Sequence, residues 1–310
     1  MKRLSHIIST KQFLDKNFLD EFFLLTDKIE KMDQKNGLKN ILKGKILASL
    51  FYEPSTRTRF SFEAAMQKLG GSVISTESAE HFSSVTKGES LQDTVRIISS
   101  YSDVIVLRHY KEGSAEIASK FSLVPVINAG DGKGEHPTQA LLDLYTIKKE
   151  LGKIDNLEIA LIGDLLNGRT IHSLLHLLTL YKVKIYLVSP LQLKLPDKYK
   201  NYLKERGIEF KEFTNLDEIL DKIDVLYVTR VQKERFKSKK EYEKLKDFYK
   251  IDKTILDKIK DKAIIMHPLP RVSEISTEVD NDKRAAYFRQ AKNGLYIRMV
   301  LLRMILNDNK

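Results

Sequence analysis

KILASLFYEPSTRTRFSFEAAMQKLGGSVIST, residues 45–76, contains a complete supersecondary unit. KILASLF is a short apolar run of strand character that Pro54 stops. FSFEAAMQKLGG has helical spacing and ends on glycine, and SVIST (72–76) reads, like KILASLF, as a buried strand. Strand, helix and strand within roughly thirty residues form the βαβ unit of a parallel sheet. Between the first strand and the helix, Ser55, Thr56, Arg57, Thr58 and Arg59 crowd hydroxyls and guanidinium groups into consecutive positions.

The same rhythm runs outward in both directions. DVIVLR (103–108) and VPVIN (124–128) read as further buried strands, followed by LEIALIGD (157–164), VKIYLVS (183–189), DVLYVTR (224–230) and AIIMHP (263–268). Helical patterns such as TIHSLLHLLTLY and YKNYLKERG fill the gaps. HPTQALLDLYTIKKELG (136–152) is a long helix with Pro137 in its first turn, and it joins two such sheets. The fold class is therefore α/β: two doubly wound parallel-sheet domains, with the active site expected in the cleft between them. The expected boundaries are 1–135 and 136–290, with an apolar-striped C-terminal helix, 291–310, packing back on the first domain.

Composition removes several classes of function. The 310 residues include no cysteine, which excludes disulfides, thiolate nucleophiles, zinc knuckles and iron–sulfur clusters. A hydrophobic share of 42% beside 31% charged residues is ordinary for a globular chain and argues against disorder. MKRLSHIISTKQFLDK carries no apolar signal region, and no stretch approaches a membrane span, so a cytoplasmic protein without membrane partners is expected. The net charge of +11 invites a nucleic-acid reading. The lysines of residues 237–262 are interleaved with acids, however, as on a solvated helical face, and no nucleic-acid motif accompanies them. The excess of cations suits small anionic substrates better.

Polar clusters follow nearly every strand, where open α/β sheets bind ligands. At STRTR, Ser55 is placed to act as N-cap and the free N–H groups of the first helical turn carry the positive end of the dipole. With the side chains of Ser55, Thr56, Arg57 and Thr58 they suit a tetrahedral dianion such as phosphate. The P-loop pattern G-x-x-x-x-G-K-[ST] is absent, and so is the cysteine of a phosphatase loop. Arg169 and Arg230, at separate strand ends, suit a substrate with two carboxylates. His136, opening the linking helix, can donate to a carbonyl oxygen as a neutral ring, and helix capping is its structural alternative. His172 and His176 have metal-compatible i, i+4 spacing, but their leucine-rich surroundings favour packing.

FYEPSTRTRFSFE, SSVTKGESLQDT, VIVLRH, INAGDGKGEHPTQALLDLYTI, IGDLLNGRTIHSL, TRVQKER and HPLPRVSEI resemble, in order and spacing, the transcarbamoylase family, over essentially the whole chain. HPTQ and HPLP, where the ornithine branch has HPCQ and HCLP, point to the aspartate branch. The resemblance implies transfer of the carbamoyl group of carbamoyl phosphate to the α-amine of L-aspartate, the committed step of de novo pyrimidine biosynthesis. It implies no cofactor and no metal. It gives the phosphate to Ser55, Thr56, Arg57, Thr58 and Arg108, and the reacting carbonyl oxygen to Thr58, Arg108 and His136. The carbamoyl N–H groups go to Gln139 and the backbone carbonyls of Leu269 and Pro270. Arg169, Arg230, Gln232 and Lys87 would bind aspartate. Family members are homotrimers with shared active sites, and here the adjacent subunit would supply Ser83 and Lys87. A regulatory chain can join a larger assembly in this family. Domain closure would pair Glu53 with Arg169 and Arg235. One departure is Leu166-Asn167, where relatives often carry Lys-Tyr. The competing expectations are a transcarbamoylase with ornithine or a related amine as acceptor, a non-catalytic anion-binding protein on the same fold, and a nucleic-acid binder.

Overall fold

The structure is a computed structural model that describes residues 4–38, 40–77, 88–232, 236, 238–245 and 248–307. The chain divides into two units, Met1–Leu142 with Lys292–Lys310, and Asp143–Ala291. The division falls inside the linking helix, not at its first residue as the 135/136 boundary supposed.

The first unit opens with α1 (Lys16–Gln34), which buries Phe18, Leu19, Phe22, Phe23 and Ile29 on one face. It continues through β1 (Ile46–Phe51), α2 (Thr56–Lys68), β2 (Ser72–Glu77), α3 (Leu91–Ser99), β3 (Val104–His109), α4 (Ser114–Phe121) and β4 (Val126–Asp131) to the first part of α5 (Pro137–Leu151), the rest of which belongs to the second unit. The strands form one parallel sheet in the order β2-β1-β3-β4. SVIST is a strand but not a buried one: β2 lies at the sheet edge, where one side has no neighbouring strand to cover it, and none of its residues is buried. Ala48, Leu50, Ile105, Leu107 and Val126 pack with Val95 of α3 and Ala118 of α4 into a core on one face of the sheet. Burying such aliphatic side chains stabilises a fold by about 1.5–3 kcal/mol each.

The second unit holds β5 (Leu157–Ile162), α6 (Arg169–Leu178), β6 (Val183–Val188), α7 (Asp197–Glu205), β7 (Glu209–Phe213), β8 (Val225–Val228), α8 (Lys239–Leu245), α9 (Lys253–Leu256) and β9 (Ile264–Met266). Its parallel sheet runs β7-β6-β5-β8-β9. The chain leaves through α10 (Tyr287–Asn307), which begins in this unit and ends in the first. There Asn307 Nδ2 donates to Ile41 O at 3.1 Å, and the Arg298 guanidinium lies 5.1 Å from the Phe62 ring centroid. Within the second unit, buried Asp143 accepts from Tyr227 Oη at 2.7 Å and from Gln290 Nε2 at 2.6 Å, which ties α5, β8 and α10 together.

Both sheets reverse direction once. In the first, the chain steps from β1 outward to β2 and returns to β3 on the other side of β1. In the second, it steps from β5 through β6 to β7 and returns to β8 beside β5. The switch points therefore lie between β1 and β3 and between β5 and β8, and the crevice beyond such a point is where doubly wound sheets bind ligands.

Candidate active site

The residues that the sequence singles out gather at these two switch points. In the first unit Phe51 is in register with Arg108, and Tyr52 N donates to Arg108 O at 2.9 Å, so the turn after β1 and the end of β3 are direct neighbours. Thr56 begins α2, and Thr58 is buried while Thr56 and Arg57 are exposed. Ser55 occupies the N-cap position, but its hydroxyl makes no capping hydrogen bond, contrary to the expectation for it. Its backbone is extended there (φ −161°, ψ 93°). Arg57 and Arg59 part company: Arg59 pairs with Glu77 Oε2 at 2.8 Å and approaches Glu63 at 3.7 Å, and so braces α2 against β2. Arg108 Nη2 donates to Glu53 Oε1 at 3.1 Å and its Nη1 to Ala129 O at 3.4 Å.

His136 and Gln139 are buried at the start of α5, and the His136 carbonyl accepts from Gln139 N and Ala140 N. The loop that delivers them turns on a residue the sequence reading passed over. Asp131 Oδ1 accepts from Glu135 N at 3.0 Å and Asn128 Nδ2 at 3.2 Å, while its Oδ2 accepts from Gly113 N at 2.9 Å. Burial pushes the Asp131 carboxyl up, against the pull of these donors. Glu135 in turn accepts from Ser9 Oγ and Thr10 N. An aspartate inside a glycine-rich loop, GDGKGE, was the available signal. Beside Arg108, His109 is buried with Nδ1 accepting from Lys111 N at 3.0 Å. Burial, helped by the Lys111 charge, holds its pKa down at about 4.

In the second unit Arg169 opens α6 after β5, and Arg230 and Gln232 follow β8. Buried Asp164 binds the two turns to each other. Its carboxylate accepts from Asn167 N at 2.9 Å and from the backbone of Gln232, and Gln232 Nε2 donates to Asn167 O at 3.1 Å. Burial raises the Asp164 carboxyl, and these donors lower it. Asn167, half of the Leu166-Asn167 departure, is thus a buried member of the turn, whereas Leu166 is exposed. His172 and His176 pack, as their surroundings suggested. His172 Nε2 bonds to Leu165 O at 2.8 Å and its ring stacks on Tyr199 at 4.1 Å, while His176 meets Tyr202 edge-on at 4.8 Å. Leu269 and Pro270 follow β9 and are joined by a cis peptide bond. Ser83, Lys87 and Arg235 lie outside the described residues. A cavity of about 510 Å³, lined in part by His6, Lys45, Asp103 and Pro125, opens at the amino ends of β1, β3 and β4 and shares no residue with these clusters.

Each cluster has a chemistry of its own. The first offers hydroxyls, two guanidinium groups and a helix start to a phosphate, and the second offers two arginines and an amide to carboxylates. Sequence comparisons agree with this division. The family described as aspartate/ornithine carbamoyltransferase matches with its carbamoyl-P binding domain over residues 5–149 and its Asp/Orn binding domain over residues 155–305. The chloroplastic aspartate carbamoyltransferase of Arabidopsis thaliana is 53% identical over 305 residues, covering 98% of this chain and 78% of that protein. The aspartate carbamoyltransferase catalytic subunit of Clostridium novyi is 54% identical over 289 residues, covering 93% and 94%. Among solved structures, the catalytic subunit of M. jannaschii aspartate transcarbamoylase superposes with a TM-score of 0.91 at 51% identity, covering 99% of both chains. The Trypanosoma cruzi enzyme in complex with carbamoyl phosphate and aspartate superposes with a TM-score of 0.92 at 42% identity, covering 98% of this chain and 97% of that one. With both domains matched in order and about half of all residues shared with full-length relatives, the chain belongs to the aspartate/ornithine carbamoyltransferase family.

Proposed function

We propose that this chain is an aspartate carbamoyltransferase, a transferase that moves the carbamoyl group of carbamoyl phosphate to the α-amine of L-aspartate and releases N-carbamoyl-L-aspartate and phosphate. The observation that carries this reading is the pairing of clusters with switch points. A phosphate-type donor set follows β1 and β3, and a dicarboxylate-type set follows β5 and β8.

Ser55, Thr56, Arg57, Thr58 and Arg108 hold the phosphate. Glu53 accepts from Arg108, so an arriving phosphate competes with that carboxylate for the guanidinium. Thr58, Arg108 and His136 aim donors at the carbamoyl oxygen, while Gln139 and the carbonyls of Leu269 and Pro270 take the carbamoyl N–H groups. Arg169, Arg230 and Gln232 bind the two carboxylates of aspartate and bring its unprotonated amine to the carbonyl carbon. The N–C bond forms and the oxyanion is stabilised by donors already in place. The C–O bond to phosphate then breaks, and the departing phosphate takes the amine proton.

The working particle is a homotrimer in which the neighbour's Ser83 and Lys87 complete each site, and a regulatory chain can associate with it. The family pattern supports that arrangement. We place the reaction in the cytoplasm, although the plant relatives are named chloroplastic; cell fractionation checks the assignment. The function itself is tested by an acceptor screen with labelled carbamoyl phosphate. Aspartate is expected to give labelled product, and turnover with ornithine alone would refute the choice of acceptor.

A further inference from the structure

The turn after β9 is held by two buried side chains that no step above employs. His267 Nε2 lies 2.7 Å from Glu274 Oε1, with the side chains 1% and 5% exposed. On the opposite edge of the ring, Leu269 N donates to His267 Nδ1 at 2.7 Å. An N–H aimed at Nδ1 must meet a lone pair, so the ring's proton resides on Nε2 and is donated to Glu274. Two partners thus fix the tautomer. Glu274 also accepts from Val272 N, at 3.2 Å on Oε1 and 3.1 Å on Oε2, and from Ser273 N at 3.1 Å. Burial pushes the Glu274 carboxyl up, but the His267 hydrogen bond and these backbone donors prevail and hold it below the ordinary carboxylate range. From the strand side, His267 N donates to Gln290 Oε1 at 2.9 Å.

These bonds frame Leu269 and Pro270. Leu269 has φ 53°, a left-handed backbone that branched residues seldom adopt and that its surroundings must impose. The bond from Leu269 N to His267 is the direct tie. Because the Leu269 and Pro270 carbonyls are the acceptors assigned to the carbamoyl –NH2, their direction depends on how this frame holds the turn.

We propose that His267 and Glu274 are positioning residues that aim the Leu269 and Pro270 carbonyls at the carbamoyl –NH2, and thereby let the site distinguish carbamoyl phosphate from inorganic phosphate. This rests on the carbamoyltransferase reading above. Inorganic phosphate has no –NH2 and uses only the donors after β1 and β3, so it serves as the internal control.

The test compares two variants of the full chain with wild type. His267→Asn keeps an acceptor near the Nδ1 position and loses the donor to Glu274, whereas His267→Gln keeps the donor and loses the acceptor. The KM for carbamoyl phosphate is expected to rise about tenfold in each, more in the glutamine variant, while the inhibition constant of inorganic phosphate stays within about twofold. Equal weakening of both ligands, or no change in either, overturns the proposal. Independently of any variant, the ¹⁵N imidazole spectrum of the wild-type protein is expected to show His267 protonated on Nε2 only, and a proton on Nδ1 would overturn it as well. Failure of the underlying reading looks different: wild type would release no phosphate from carbamoyl phosphate in the presence of aspartate.

Discussion

Two arginines separated by one residue do different work. Arg57 is exposed at the start of α2, and Arg59 is turned aside into pairing with Glu77 and Glu63. If Arg57 holds the phosphate as proposed, replacing it by alanine is expected to raise the KM for carbamoyl phosphate by roughly 100-fold. The melting temperature should hardly move. Arg59→Ala should do the reverse, because a partly exposed ion pair is worth about 0.5–1 kcal/mol to folding. Steady-state kinetics and thermal denaturation of the two proteins check the contrast, and equal KM effects would contradict it. The sequence predicted a phosphate cradle at STRTR from Ser55, Thr56, Arg57 and Thr58 and left Arg59 outside it. Glu77 as its partner could not be read there, because that contact is made between α2 and β2. Asp131 and Asp164 were passed over for the same reason: an isolated aspartate in a loop acquires its meaning only from the amides that fold around it.

At the scale of elements, α6 and the turn before it make the most exacting demands. Gly163 has φ 109°, and a Cβ there would collide with Thr229 O, so the chain just after β5 passes close against the chain just after β8. Gly163→Ala is expected to destabilise the protein by more than about 1 kcal/mol and to weaken aspartate binding, since Arg169 and Arg230 ride on those two ends. Urea denaturation and the KM for aspartate measure the two effects. His172, within α6, bonds to Leu165 O, and burial, assisted by the charges of Lys198 and His176, holds its pKa at about 4 instead of 6.5. His109 at the end of β3 behaves alike. Between those values the unfolded chain binds protons that the folded one does not, so stability is full above pH 6.5 and falls as pH drops toward 4. Each ring contributes on the order of 2–3 kcal/mol to that loss. Removing the titrating group with His172→Gln should flatten the fall, and denaturation followed from neutral to acid pH tests it. The buried strands were legible because they are continuous apolar runs. β7, Glu209–Phe213, was not, because an edge strand with charged residues and little burial lacks that pattern.

At the scale of the whole molecule, the chain supplies both substrate-binding domains of its family. If the neighbour's Ser83 and Lys87 complete each site, an isolated 35.8 kDa chain has no complete site. Sedimentation is expected to give a particle of three chains, with activity lost on dilution to monomers. A fully active monomer would contradict the shared site. At carbamoyl phosphate concentrations too low to saturate either variant alone, mixing Lys87→Ala with Arg57→Ala should restore partial activity through hybrid trimers that contain one unaltered site.

The sequence by itself determined the α/β class, the linking helix and the chemical character of each cluster, because apolar periodicity and donor composition are local properties. Strand order was decided only by the tertiary structure, since it depends on which edges pair across long separations in the chain. From that order came the switch points that place Arg108 beside the turn leading to Ser55, and the turn of Arg169 beside that of Arg230. The same holds for the tie between His267 and Glu274: both residues are visible in HPLPRVSE, but only the folded turn gives each ring nitrogen its partner.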